Sequence, residues 1–171
     1  IAGNKIIVSM LMLAGLASLI VGNAHQAQMP EFAHDLGHGD AGIKYSILLT
    51  GGAAGALFAG IVLESRNLLP PRPRTAFLLV MLWAIALGIF ALTTHYAIAL
   101  AAIFAAGFLN LAYGSMNQTL VQLNAPEQIR GRVIGLYNMS AHGLRTFAGI
   151  TVGFGGSLVG VHWSLALSAL A

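Results

Sequence analysis

The chain of 171 residues contains no cysteine, five acids and eight Lys and Arg, so charged residues make up only 8% of it. Without cysteine there is no disulfide framework, no thiolate nucleophile and no zinc-finger ligand set, and cysteine usage says nothing of the redox compartment. With so little charge against 57% hydrophobic residues, the chain cannot cover a water-facing surface with polar groups. Its mean hydropathy of +0.81 points instead to lipid as the surrounding solvent. The net charge of +3 does not mark a nucleic-acid binder, because the basic residues are scattered among apolar runs and make no basic stripe or aromatic-interleaved patch. Catalytic motifs are absent too: there is neither a nucleophile elbow nor a metalloprotease HExxH.

Long apolar runs dominate what is there. About 20 helical residues cross roughly 30 Å of hydrocarbon, and only helices satisfy their own backbone hydrogen bonds in lipid. Five complete runs are expected to span: residues 6–21, 43–63, 76–93, 97–120 and 133–161. A sixth begins near 163 and is cut off at 171, which predicts an all-α integral membrane fold read from a piece of a longer protein. The third and fourth runs, separated only by "THY" and its neighbours, should form a tight antiparallel pair. A second reading exists for the first run, since Lys5, "IIVSMLMLAGLASLIV" and "GNAHQA" have the charged start, apolar middle and small-residue end of a signal peptide.

Charge orients the bundle. If the spans alternate, Lys5, Arg66, Arg72, Arg74, Arg130 and Arg132 share one side, against Lys44 with Glu31, Asp35, Asp40 and most of the histidines on the other. The positive-inside rule makes the basic side cytoplasmic. The segment "NAPEQIRGRV" is then a cytoplasmic elbow, with Asn124 as a helix N-cap, Pro126 in the first turn and Glu127 completing a capping box. The linker "LLPPRPRT" holds a PxxP arrangement, Pro70 to Pro73, that suits a ligand for an SH3-like module or a stiff turn.

Polar residues inside the spans are few and patterned. Arg145 lies roughly 18 Å along its helix from Val133, near mid-bilayer, where a cation costs at least ~2.5 kcal/mol unless it faces a polar interior. Asn138, His142 and Arg145 are spaced i, i+4, i+7 and share one helix face. Asn110, Tyr113 and Asn117 form a second stripe, with Gln118 alongside. His142 is a candidate for proton coupling, because imidazole changes charge near neutral pH. No acid lies within any complete span. Gly149, Gly153, Gly156 and Gly160 recur along the fifth span, and Gly51, Gly55 and Ala59 along the second, which lets backbones approach closely. Other motifs lead nowhere: "GHGDAG" matches GxGxxG without a preceding strand. His34 and His38 with nearby acids are broken by Gly37 and read as a solvated loop rather than a metal site. The N-x-[ST] matches at Asn117 and Asn138 fall within spans.

"GALFAG" at 55–60 and "GGSLVG" at 155–160 echo each other on spans running in opposite directions, the pattern of inverted three-helix repeats in secondary transporters. "NQTLVQLNAPEQIRGRVIGLYNM" resembles the segment joining the tenth and eleventh helices of major facilitator superfamily exporters, in the branch of the enterobactin exporter and related drug-efflux proteins. The matching residues are Pro126, Arg130, Gly131, Arg132 and Val133. "MPEFAHDLGHGDAGIKYSILLTGGAAGAL" is similar to that branch's outer loop and eighth helix, through Pro30, Gly42, Tyr45, Gly51, Gly52 and Gly55. Two departures stand out. The cytoplasmic loop signature keeps only Gly60 and Glu64, with Ser65 in place of a basic residue, and "HGLRTFAG" replaces a Pro-containing turn.

The resemblance implies the carboxyl-terminal six-helix half of a transporter, residues 1–171, in a bacterial inner membrane. It implies proton-coupled efflux of small organic molecules by alternating access, with the lipid bilayer, protons, a small-molecule substrate and the amino-terminal half as partners, and without a cofactor or metal. Asn110, Tyr113, Asn117, Asn138, His142 and Arg145 would line the central cavity, where Arg145 attracts an anionic group or pairs with an acid of the other half. Glu64, Arg66, Glu127, Arg130 and Arg132 would serve the cytoplasmic loops and gating. Gly51, Gly55, Gly149, Gly153 and Gly156 would pack helices where the halves slide. The rival classes are a membrane-embedded enzyme acting on a lipid-borne substrate and a non-transporting scaffold or sensor.

Overall fold

The computed structural model describes residues 4–22, 26, 29–35, 42–66, 71–145, 147 and 160–170. Among them regular structure is entirely helical: α1 (Lys5–Ile20), α2 (Met29–Asp35), α3 (Ile43–Arg66), α4 (Pro73–Leu92), α5 (Tyr96–Asn124), α6 (Arg130–Asn138) and α7 (Val161–Leu170). Three of these, α3, α4 and α5, are long and apolar enough to cross a membrane, and α1 is a shorter apolar helix. Their outward faces carry Leu57, Ile61 and Met81, each more than 60% exposed. Water would oppose such a surface, whereas hydrocarbon accepts it. This is a multi-pass membrane protein.

Each terminus has a local cause. Asn4 starts α1, its side-chain oxygen accepting from the Ile6 and Ile7 amides at 3.1 and 3.4 Å. Gly22 ends it in the left-handed region, φ 46°, with its amide donating to the Ala17 carbonyl. Pro73 opens α4 at the first helical position, where its missing N–H costs nothing. Three residues, Thr93 to His95, turn α4 into α5. The elbow departs from the expected capping box. Asn124 closes α5 instead of opening α6: its Nδ2 donates to the Leu120 carbonyl at 2.8 Å. Ala125 is extended, as a residue preceding proline must be. A short 3₁₀ turn, Glu127–Ile129, then leads into α6.

Helix α5 is the centre of the bundle, packed by α3, α4, α1 and α6, while α7 lies against α4. Glycine sets the closest crossing. A Cβ on Gly55 would overlap the Phe104 carbonyl, and one on Gly107 would overlap the Gly52 carbonyl. Lipid tails are as apolar as leucine, so such backbone contact supplies the dispersion that holds membrane helices together. Gly51 and Gly55 pack inside this bundle, against α5. Gly149, Gly153 and Gly156 lie outside the described residues.

The core has two layers. One gathers Ile7, Met10, Ala76, Leu120, Val121 and Val133, next in sequence to Lys5, Arg74, Arg130 and Arg132. The other gathers Phe32, Leu48, Phe90, Ala99 and Leu165, next to Glu31 and Lys44. The basic segments thus converge on one end of the bundle, where Asn4 Nδ2 donates to the Asn124 carbonyl at 3.3 Å and joins the start of α1 to the end of α5. At the opposite end Tyr96 donates to the Lys44 carbonyl at 2.8 Å.

The outer segment expected to be a solvated loop contains α2, because Met29 and Phe32, three residues apart, bury one face of it completely. Phe32 meets Phe90 at 4.8 Å and His162 at 4.6 Å between ring centroids. His162 Nδ1 lies 2.6 Å from the Ala91 carbonyl and donates to it, pinning α7 on α4.

Candidate functional site: a polar cavity inside the bundle

The expected fifth span does not continue as one α-helix. After α6 the backbone widens into a π-helical turn, Met139–Gly143. Such a turn leaves a carbonyl without its usual partner, and Ser18 of α1 supplies one, its hydroxyl donating to the Ala141 carbonyl at 2.9 Å. The turn also breaks the i, i+4, i+7 register. His142 and Arg145 still line the cavity described next, His142 with an exposed side chain, while Asn138 is exposed and does not line it.

A cavity of about 620 Å³ opens between α1, α3, α5 and this turn. Its volume is within the range of small-molecule sites. Asn110, Tyr113 and Gln118 line it from α5, Tyr137 from α6, His142 and Arg145 from the turn and just beyond, Ser18 from α1 and Trp83 from α4. Of the six residues expected in one site, the structure brings together Asn110, Tyr113, His142 and Arg145. Asn117 is fully buried behind the wall, covered by α1, where its Nδ2 donates to the Met10 carbonyl at 3.2 Å and to the Tyr113 hydroxyl at 3.1 Å. Gly107, Ser18, Trp83 and Tyr137 were not foreseen as site or packing residues. A serine inside an apolar run was the one available signal for Ser18, since a buried hydroxyl in lipid needs a partner on another helix.

Arg145 dominates the electrostatics. Among the described residues no Asp or Glu lines the cavity, and the buried Arg145 Nε has no hydrogen-bond partner. Trp83 and Tyr113 stack at 6.3 Å with 13° between their planes, giving the cavity a flat aromatic wall. Tyr137 donates to the Gly114 carbonyl at 3.3 Å, which ties α6 to α5 and leaves the Tyr137 oxygen to accept. Among the described residues no group of three His, Asp or Glu is placed to hold a metal ion. Asp35's side chain, His38 and Asp40 are outside the described set.

The candidate loop residues lie apart from the cavity. Glu127, Arg130 and Arg132 are exposed around the elbow, and Glu64 is exposed near the end of α3. Arg66 is the last residue of α3, and its side chain is not described.

A bundle of lipid-facing helices around a cavity of small-molecule size, with an arginine side chain on its wall, is the arrangement of membrane transport proteins. The chain belongs to the Major Facilitator Superfamily, a family of membrane transporters, whose model matches residues 1–150. No curated protein and no solved structure matches it.

Proposed function

We propose that this chain forms the carboxyl-terminal six-helix half of a secondary active exporter in a bacterial inner membrane, moving small organic molecules out of the cytoplasm in exchange for protons. The observation that carries this reading is Arg145, a cation whose buried Nε has no hydrogen-bond partner among the described residues and which lines a cavity between apolar helices. Such a charge is retained in a membrane against its desolvation cost where it meets a substrate, an ion pathway or a partner. In this reading the basic end faces the cytoplasm, because lysine and arginine are retained on that side. Arg130, Arg132 and Glu127 anchor the elbow at the headgroups and, with Glu64 and Arg66, hold one conformation of alternating access. His142 carries the exchanged proton.

Transport by the complete carrier in proteoliposomes tests the reading. With pyranine trapped inside and a panel of organic compounds outside, at least one compound should move protons through the carrier, and Arg145→Ala should abolish this flux while the protein remains folded. His142→Gln should keep substrate counterflow and lose its dependence on the pH gradient. Full flux in a folded Arg145→Ala protein removes Arg145 from the mechanism, and flux in neither protein for any compound contradicts exchange.

A further inference from the structure

We infer that the cavity receives a small organic anion with an apolar body, that Arg145 and Tyr113 are its two donors, and that Asn117 aims the Tyr113 hydroxyl. The inference rests on the cavity being the transport site and adds the class of molecule it takes. It begins with an amide whose orientation is set by the Met10 carbonyl, although its Oδ1 is then buried without a hydrogen-bond partner among the described residues. The same nitrogen of Asn117 reaches both the Met10 carbonyl, at 3.2 Å, and the Tyr113 hydroxyl, at 3.1 Å. A carbonyl can only accept, so that position must be the NH₂ and the Tyr113 oxygen must accept as well. The phenol proton is therefore directed away from Asn117. Among the described residues no acceptor receives it, while Tyr113 itself lines the cavity.

Three features then agree. The cavity offers a phenol donor and a guanidinium whose buried Nε has no partner among the described residues. Among the described residues its lining holds no acid to compete for that guanidinium. The Trp83–Tyr113 stack provides a flat apolar face beside the donors. An acceptor-only group such as a carboxylate satisfies both donors at once, in charge-assisted hydrogen bonds that are stronger than neutral ones. A cationic ligand meets the Arg145 charge instead. Asn117 touches no ligand in this scheme. It is a positioning residue acting through Tyr113.

Trp83 makes the site observable. In the complete carrier, reconstituted in detergent with every tryptophan except Trp83 changed to Phe, titration with benzoate should alter Trp83 fluorescence saturably, and benzylamine should bind at least about tenfold more weakly. Arg145→Gln should weaken benzoate by about tenfold or more, with Arg145→Lys intermediate, and Tyr113→Phe by about three- to tenfold. Asn117→Leu should weaken benzoate about as much as Tyr113→Phe. The double variant Asn117→Leu with Tyr113→Phe should be no weaker than Tyr113→Phe alone, because both changes remove one contact. Additive losses would make Asn117 merely structural and overturn its role. Equal binding of benzylamine, or unchanged benzoate binding in both Arg145→Gln and Tyr113→Phe, would overturn the anion site. Binding and exchange fail separately: benzoate binding without proton-coupled flux sinks the exporter reading alone, and flux of cations without benzoate binding sinks the anion site alone.

Discussion

Gly55 and Gly88 are both helical glycines of this bundle, and their surroundings give them opposite roles. A methyl group on Gly55 would collide with the Phe104 backbone of α5, whereas one on Gly88 would meet nothing within 4 Å. Gly88→Ala should raise stability by about 0.5–1 kcal/mol, the helix preference of alanine over glycine. Gly55→Ala should lower it by about 1–3 kcal/mol, because α3 and α5 must move apart. Thermal unfolding in detergent micelles, followed by tryptophan fluorescence, checks the pair. The sequence made the Gly51 and Gly55 stripe legible as a packing surface, but not its partner. Spacing tells which residues share a face, and says nothing of which helix meets it. Asn117 is a similar case. The period of α5 aligned it with Asn110 and Tyr113, and only the position of α1 determines that Asn117 faces Met10 while its neighbours face the cavity.

At the scale of elements, the π-helical turn decides the site's shape. The expectation of one polar face through Asn138, His142 and Arg145 assumed an unbroken α-helix, and the wider turn moved Asn138 off that face. Hydropathy locates a span well because it averages over about 20 residues, and for the same reason it cannot report a local change of helical pitch. Ser18→Ala should leave the Ala141 carbonyl without its partner at a cost of about 0.6 kcal/mol, typical of interhelical hydrogen bonds in membranes. Hydrogen exchange by mass spectrometry should then show faster exchange over residues 139–143, with α4 unaffected. Helix α2 was illegible for another reason. Its seven residues are too few and too polar to register as apolar, although two of them, Met29 and Phe32, are buried in the core at 1% exposure each.

For the whole molecule, composition was sufficient to establish that lipid surrounds it, since 8% charge cannot clothe a soluble surface. The alternation of basic and acidic segments was legible too, and the two-layered core agrees with it by collecting the basic segments at one end. Two results follow for the assembled protein. Removal of detergent should precipitate it, because Leu57, Ile61 and Met81 face outward. The two ends of the bundle should also lie on opposite sides of the membrane, with the elbow inside. The absence of native cysteine makes sidedness directly measurable. Gln128→Cys at the elbow and Thr94→Cys between α4 and α5 both replace exposed residues. Each is placed in the complete carrier, freed of any other cysteine, and treated in intact cells with a membrane-impermeant maleimide. The bundle described here predicts labelling of Thr94→Cys in intact cells and of Gln128→Cys only after permeabilisation. Labelling of Gln128→Cys from outside, or equal labelling of both positions in intact cells, would contradict it.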